Sequence, residues 1–349
     1  MDSIIISSEL TPADQLVLQN LASDIQTRQP CSNGAAKEND QDTRDVNTLV
    51  GLNDPASQDF EPTIFSSWDM RDIKSRLPPS VYQYMLLPYV SWAQKAFPYI
   101  MDPLMGHTWN SYFYHHVKHH HVEGNGPDDL SSTVRYQRDD IWHFLHYVGR
   151  FYFLIWLDLP LYFVRKGRLT IALRAAFWEW SNYVAIVSLL RYNFKPALFT
   201  LLIPLLIMRL GLMVGNWGQH AFVDADEPDS DYRSSITLID VPSNRYCYND
   251  GYHTSHHLNP LRHWRDHPVH FLQSKEIYSR EHALVFHNID YLMITVRLMM
   301  RDYEHLARCL VPIGDQIDMT MEQRVALLKR HTRRFSEEEI REKFGVAKA

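Results

Sequence analysis

Five of the seven residues from His115 to His121 are histidine (HHVKHHH), and a second cluster, YHTSHHLNP, follows at 252–260. Imidazole is costly to bury without partners, repels its neighbours when protonated, and is the commonest side-chain metal ligand. Neutral nitrogen donors this dense suit iron, zinc or copper. The fold therefore has to gather two distant stretches of chain around metal. A solvated basic tract, like a purification tag, is the bland alternative. Such a tract sits at a terminus, lacks Trp, Tyr and Gly flanks, and does not recur as HxxHH.

Composition narrows the classes. A chain of 349 residues fits one large domain or two ordinary ones. Its mean hydropathy of −0.31 argues against a many-pass transporter. A net charge of −6 gives no basic footprint for nucleic acid. Cys31, Cys247 and Cys309 form neither a disulfide framework nor a CxxC pair, so histidine has to hold any metal. The opening MDSIIISSELTPADQ lacks a basic region followed by a long apolar stretch, and no cleaved signal peptide is expected.

Residues 1–75 are polar and read as a mobile cytosolic arm that buries little. Four apolar segments follow, near 81–105, 144–163, 170–190 and 196–215. Each is close to the roughly 20 residues a bilayer span needs; a buried core helix is the alternative for any one of them. If the histidines at 107–121, 220 and 253–257 share one site, an even number of crossings separates 121 from 220. Three candidates lie between, so one does not span. Arg165, Lys166 and Arg168 favour a cytosolic loop. That makes 144–163 interfacial or re-entrant, with 170–190 and 196–215 crossing out and back; Arg191 and Lys195 pull the other way. The charged, helix-like stretch after 260 is expected to cover the site or lie on the membrane.

On an α-helix, positions three and four apart share a face. His116, His119 and His120 then occupy one arc, and His115 with His119 an overlapping one. His253, His256 and His257 share a face. His220 closes the fourth apolar segment with Asn216 one turn before it, and His107 lies two turns before His115. With His121 these are more candidates than a single ion needs, and two metals would use most of them. His143, His146, His263, His267 and His270 read as surface or supporting groups, and His282, His287, His305 and His331 as uninvolved.

These motifs resemble the membrane fatty-acid desaturase and hydroxylase superfamily, which includes integral-membrane alkane monooxygenases. YHTSHHLNP resembles its third histidine box, and Asn216-Trp-Gly-Gln-His220 its Asn-x-x-x-His element. HVKHHHVEGNGPDD (116–129) is similar to the second box of alkane monooxygenases. The usual first box, upstream of the second, is missing: no histidine precedes His107. Either His107 and His115 replace it, or the 115–121 cluster serves two boxes. The second-box register is also open. Spacing favours His116, His119 and His120; the trailing PDD favours His116, His120 and His121.

The resemblance implies an all-α integral membrane fold: desaturase-like transmembrane helices under a cytosolic, histidine-rich diiron cap. The catalytic domain would cover 76–310, with a charged helical tail at 311–349. It implies two non-haem irons, dioxygen as co-substrate and a lipid or acyl-chain substrate. The chain has no HPGG haem stretch and no Gly-rich flavin fingerprint. An external electron donor is therefore expected, a b-type cytochrome or a ferredoxin with its reductase. The expected location is the endoplasmic reticulum if the source is eukaryotic, with the site facing the cytosol. Asp128, Asp129 and Asp250 would orient ligand imidazoles, or the first two would cap a helix; Asn216 would act through water. Trp109, Tyr112, Trp217 and Tyr252 would line the substrate slot or sit at the membrane interface. The acidic run Asp224 to Asp231 reads as a solvated loop ahead of a donor-docking patch.

The expected reaction is desaturation of an acyl chain, with hydroxylation of an acyl chain or alkane as the alternative. From another class, a non-enzymatic metal-binding or transport protein would need ionisable groups along several spans. A zinc hydrolase needs only three protein ligands.

Overall fold

The computed structural model describes residues 10–27, 40–54, 56–58, 99–100, 102–110, 112–239, 241, 244 and 247–345. Most of the apolar segment at 81–105 and Cys31 lie outside them. The described residues are mostly helical, and the all-α expectation is corrected by one small sheet.

Three long helices follow in series: Ile141–Arg165, Leu169–Tyr192 and Phe194–Gln219. The first starts where the Asp140 carboxylate accepts from the backbone N–H groups of Trp142 and His143, two donors the helix cannot satisfy itself. The third carries Pro204, whose ring crowds the carbonyl four residues back; the π-helical turn Leu198–Leu202 precedes it and loosens the backbone there. Gly106, at φ +86°, lies so close that a Cβ would stand 2.6 Å from the Pro204 carbonyl oxygen. Only glycine lets the 102–110 segment rest against that turn.

Ile141–Arg165 and Phe194–Gln219 are long and apolar enough to cross a membrane, and only 28% and 22% of their most apolar stretches are buried. A core helix of a soluble protein would hide such surface. Phe153, Leu173, Phe177, Val184, Phe199 and Ile207 are all exposed on the three helices. A continuous apolar surface of this kind needs lipid or protein to cover it.

The Ile141–Arg165 helix meets the histidine region at Tyr147, Phe151 and Tyr162. Tyr147 hydrogen-bonds the Ser131 carbonyl, Phe151 packs on His115 and Tyr162 on His119. Those points span about 22 Å of helix, and the same helix also packs along Leu169–Tyr192, where Ile155, Leu159 and Phe163 meet Ala172 and Ala175. Leu169–Tyr192 and Phe194–Gln219 run in opposite directions, tied midway by Glu179 and Arg209, and the second ends back at His220.

The sheet joins β1 (Ile236–Leu238) in parallel to β2 (Leu284–Phe286), and β2 antiparallel to β3 (Leu310–Val311). Side chains alternate across it. Leu284 and Phe286 face one core with Ile294, Leu298 and Leu306; Val285 faces another with Tyr252, Phe271 and Tyr278. That second core includes Val17, Leu18, Leu21 and Leu49 from the helices Pro12–Thr27 and Asp40–Asn53. The described part of the N-terminal arm is therefore packed, which corrects the expectation that it buries little. Polar composition misled because few apolar residues sit on one face, while Lys275 satisfies Asn20, Asp24 and Asp42 at 2.6–2.8 Å.

Buried Arg138 donates to the carbonyls of Thr133, Ala221, His331 and Arg333. It ties the loop before the long helices to the residue after His220 and to the C-terminal helices Met321–His331 and Glu337–Lys343.

Candidate metal centre

Residues Tyr112–His120 form a π-helix that continues as the short α-helix His121–Glu123. Its i→i+5 hydrogen bonding underwinds the turn, so residues i, i+4 and i+5 come to share a face. His116, His120 and His121 therefore point one way, and His115 and His119 another. The α-helical spacing applied to the sequence does not hold over this stretch, which is why the arc of His116, His119 and His120 does not form.

Seven histidines gather in two groups able to hold a metal ion, each with its ligand atoms within 4.8 Å of one another. The first group is His120, His220, His253 and His257; the second is His116, His121 and His256. His253 and His257 share a face of the His253–Leu258 helix, with Nε2 atoms 3.0 Å apart, and His220 Nε2 lies 3.2 Å from that of His253. In the second group, the Nε2 atoms of His256 and His121 are 2.8 Å apart. The groups are adjacent, the rings of His120 and His121 being 5.8 Å apart.

Hydrogen bonds decide which nitrogen faces inward. His120 Nδ1 lies 2.7 Å from the buried Asp129 carboxylate, and His220 Nδ1 lies 2.7 Å from the Ser234 carbonyl oxygen. Each Nδ1–H donates outward, leaving an Nε2 lone pair turned to the centre. His120 Nε2 is buried without a hydrogen-bond partner. These lone pairs converge on the Nε2 atoms of His253 and His257, a set of imidazole nitrogens that fits a metal.

Burial also disfavours the charged form of six of the seven gathered rings, and ligation requires the neutral one. It lowers His220 and His121 to about 3 and His256 to about 4, with neighbouring imidazoles adding to the shift. His116, His253 and His257 are pushed well below their ordinary value for the same reasons. Burial would raise Asp129, but His120, His119 and Ser131 outweigh it and hold the carboxyl far below its usual range.

The remaining candidates lie outside both groups. His119 Nε2 accepts the Leu130 backbone N–H at 3.1 Å, so its lone pair there is occupied. Its Nδ1 makes no hydrogen bond and stands 3.7 Å from Asp129, a contact beyond hydrogen-bond length. His115 Nε2 is buried and unpartnered against Phe151. His107 stacks edge-on against Tyr112. The seven gathered histidines match the register that the trailing PDD favours.

Asp129 contacts an imidazole, whereas the Asp128 side chain turns outward to Lys166 at 2.8 Å. Asn216 reaches no histidine; its amide donates to the Ser131 carbonyl and the Tyr147 hydroxyl. Ser131, Tyr147 and Ser234 support the centre without having stood out in the sequence. A backbone carbonyl such as that of Ser234 leaves no residue-type signal to find. In the acidic run Asp224 is buried and caps the turn at Asp226, while Asp226, Glu227 and Asp229 are exposed as a solvated loop would be, Asp226 pairing with Arg330 at the surface.

A cavity of about 700 Å³ opens against the histidines. Tyr248, Leu261 and His263 stand at its exposed end. His116, His120, His253 and His256 line its middle, and Phe151, Ile155, Leu159, Leu205, Leu212 and Met213 carry it between the helices. Tyr112 lines it. Trp217 and Tyr252 are core residues instead, fully buried and bonded to the Arg138 carbonyl and the Asp14 carboxylate.

The family model described as fatty acid desaturase matches residues 87–288, more than half of the chain. The chain belongs to the fatty acid desaturase family. The matched range holds all seven gathered histidines, and membership supports an oxidoreductase bound to membranes. No curated protein and no solved structure matches this desaturase-family chain.

Proposed function

We propose that the protein is a membrane-bound, dioxygen-dependent diiron desaturase of a lipid or acyl chain. The observation that carries the reading is the placing of both histidine groups on the wall of one cavity whose lining between the helices is mostly apolar. His120, His220, His253 and His257 would hold one iron, and His116, His121 and His256 the other. Bound there, two irons would supply the oxidising power by which dioxygen breaks an unactivated C–H bond. Asp129 and the Ser234 carbonyl fix the imidazole tautomers. Phe151, Ile155 and Leu159 hold an alkyl chain against the centre and exclude water, so that position selects the carbon attacked.

In this reading Leu169–Tyr192 and Phe194–Gln219 cross the bilayer out and back, while Ile141–Arg165 lies along the cap. Both histidine stretches then share the cytosolic side, at the endoplasmic reticulum in a eukaryotic cell. Electrons come from a separate b-type cytochrome or a ferredoxin with its reductase. Profiling lipids and small molecules in cells with and without the protein tests the reaction. Desaturation appears as a product lacking two hydrogens; a product gaining one oxygen would instead make the protein a hydroxylase. An unchanged profile across acyl lipids and alkanes would refute both.

A further inference from the structure

The lining of the cavity between the helices is not apolar throughout. Glu179 and Arg209, both nine-tenths buried, line it from the middle of the two paired helices. Arg209 donates to the Glu179 carboxylate, and so does the Tyr183 hydroxyl. The guanidinium also lies over the Phe151 ring, 6.0 Å from its centroid, and that ring in turn packs on His115. The charged pair is thus one aromatic ring away from the histidine region.

Ionisable groups midway along membrane helices are costly and mark substrate paths when they face a cavity. A tie between two helices does not need charge, because a buried ion pair seldom outperforms apolar packing. This pair faces the space where the far end of a bound chain would lie. For a substrate ending in a plain methyl group, desolvated charge is the wrong lining.

We propose that Glu179 and Arg209 form a subsite for a neutral oxygen function, best a hydroxyl, on the part of the chain beyond the carbon oxidised. The inference rests on the acyl-chain reading above and narrows its substrate class. A hydroxyl donates to Glu179 while accepting from Arg209, so both members of the pair keep a partner. A terminal carboxylate would be repelled by Glu179, and a terminal ammonium by Arg209. A carbonyl satisfies Arg209 alone.

The test is direct binding to the purified full-length chain in nanodiscs, using ω-hydroxy and unsubstituted fatty acids matched in length across a series. At the best length the ω-hydroxy acid should bind about tenfold more tightly, as a charge-assisted hydrogen bond allows. The double variant Glu179→Leu/Arg209→Met should lose or reverse that preference while keeping a cooperative thermal transition. Both residues are changed together because removing one strands the other's charge. Equal or tighter binding of the methyl-ended acid to the wild type, or an unchanged preference in the double variant, overturns the subsite alone. Failure of both acids to bind at any length overturns the acyl-chain reading, and this inference with it.

Discussion

The hydroxyl of Tyr252 donates to the carboxylate of Asp14 at 2.7 Å, joining the Pro12–Thr27 helix to the residue just before the His253–Leu258 helix. Asp14 lies outside the family-matched range, Tyr252 within it. The N-terminal helix thereby braces the turn that presents three of the gathered histidines.

That contact has a pH signature. Burial, the largest influence, raises the Asp14 carboxyl from 3.8 to about 6 against the lowering by Tyr252, Thr11 and Asn244. The folded value exceeds the unfolded one, so folding takes up a proton between those pH values. The contribution is complete below pH 3.8 and is lost as pH rises through 6. The gap corresponds to about 3 kcal/mol at neutral pH. Asp14→Asn keeps an acceptor for Tyr252 without the charge. Its melting temperature should exceed that of wild type at neutral pH and converge with it in acid. A variant less stable than wild type at neutral pH would contradict this.

Metal content separates the two groups. Purified wild-type protein should carry close to two irons per chain. His121→Ala or His256→Ala should remove about one, and His253→Ala the other, while His107→Ala retains both. Elemental analysis decides the matter; full iron in His121→Ala and His256→Ala alike would dissolve the second group.

Asp129 acts through His120, which donates Nδ1–H to it. Asp129→Asn keeps an acceptor but not its charge, and iron affinity should fall by about 10–100-fold. Competition with a chelator measures that fall. Unchanged affinity would leave Asp129 with no part in orienting His120.

Arg138 serves the fold. Arg138→Met strands the carbonyls of Thr133, Ala221, His331 and Arg333 in the interior. The expected loss is about 3 kcal/mol or more, read as a lower unfolding temperature of the solubilised protein. A drop of only a degree or two would show that water replaces the guanidinium at little cost.

Much of the centre is legible in the sequence, because metal chemistry restricts residue type. Ligands have to be histidine when cysteines are scattered, and HxxHH places three of them on one short helix. The register of HHVKHHH is not legible there. It depends on a π-helix, whose backbone strain no side-chain pattern announces and whose cost tertiary contacts have to meet.

The chain alone determined the kind of centre, the nitrogen ligands and the apolar hairpin that separates them, because those follow from residue chemistry and local length. Tertiary structure alone decided that His119 hands its lone pair to Leu130, that Asp128 turns out to Lys166 while Asp129 turns in, and that a charged pair lines the cavity. Each is a choice between near neighbours of similar chemistry. Only packing in three dimensions, by setting which nitrogen, which carboxylate and which helix face is buried, makes that choice.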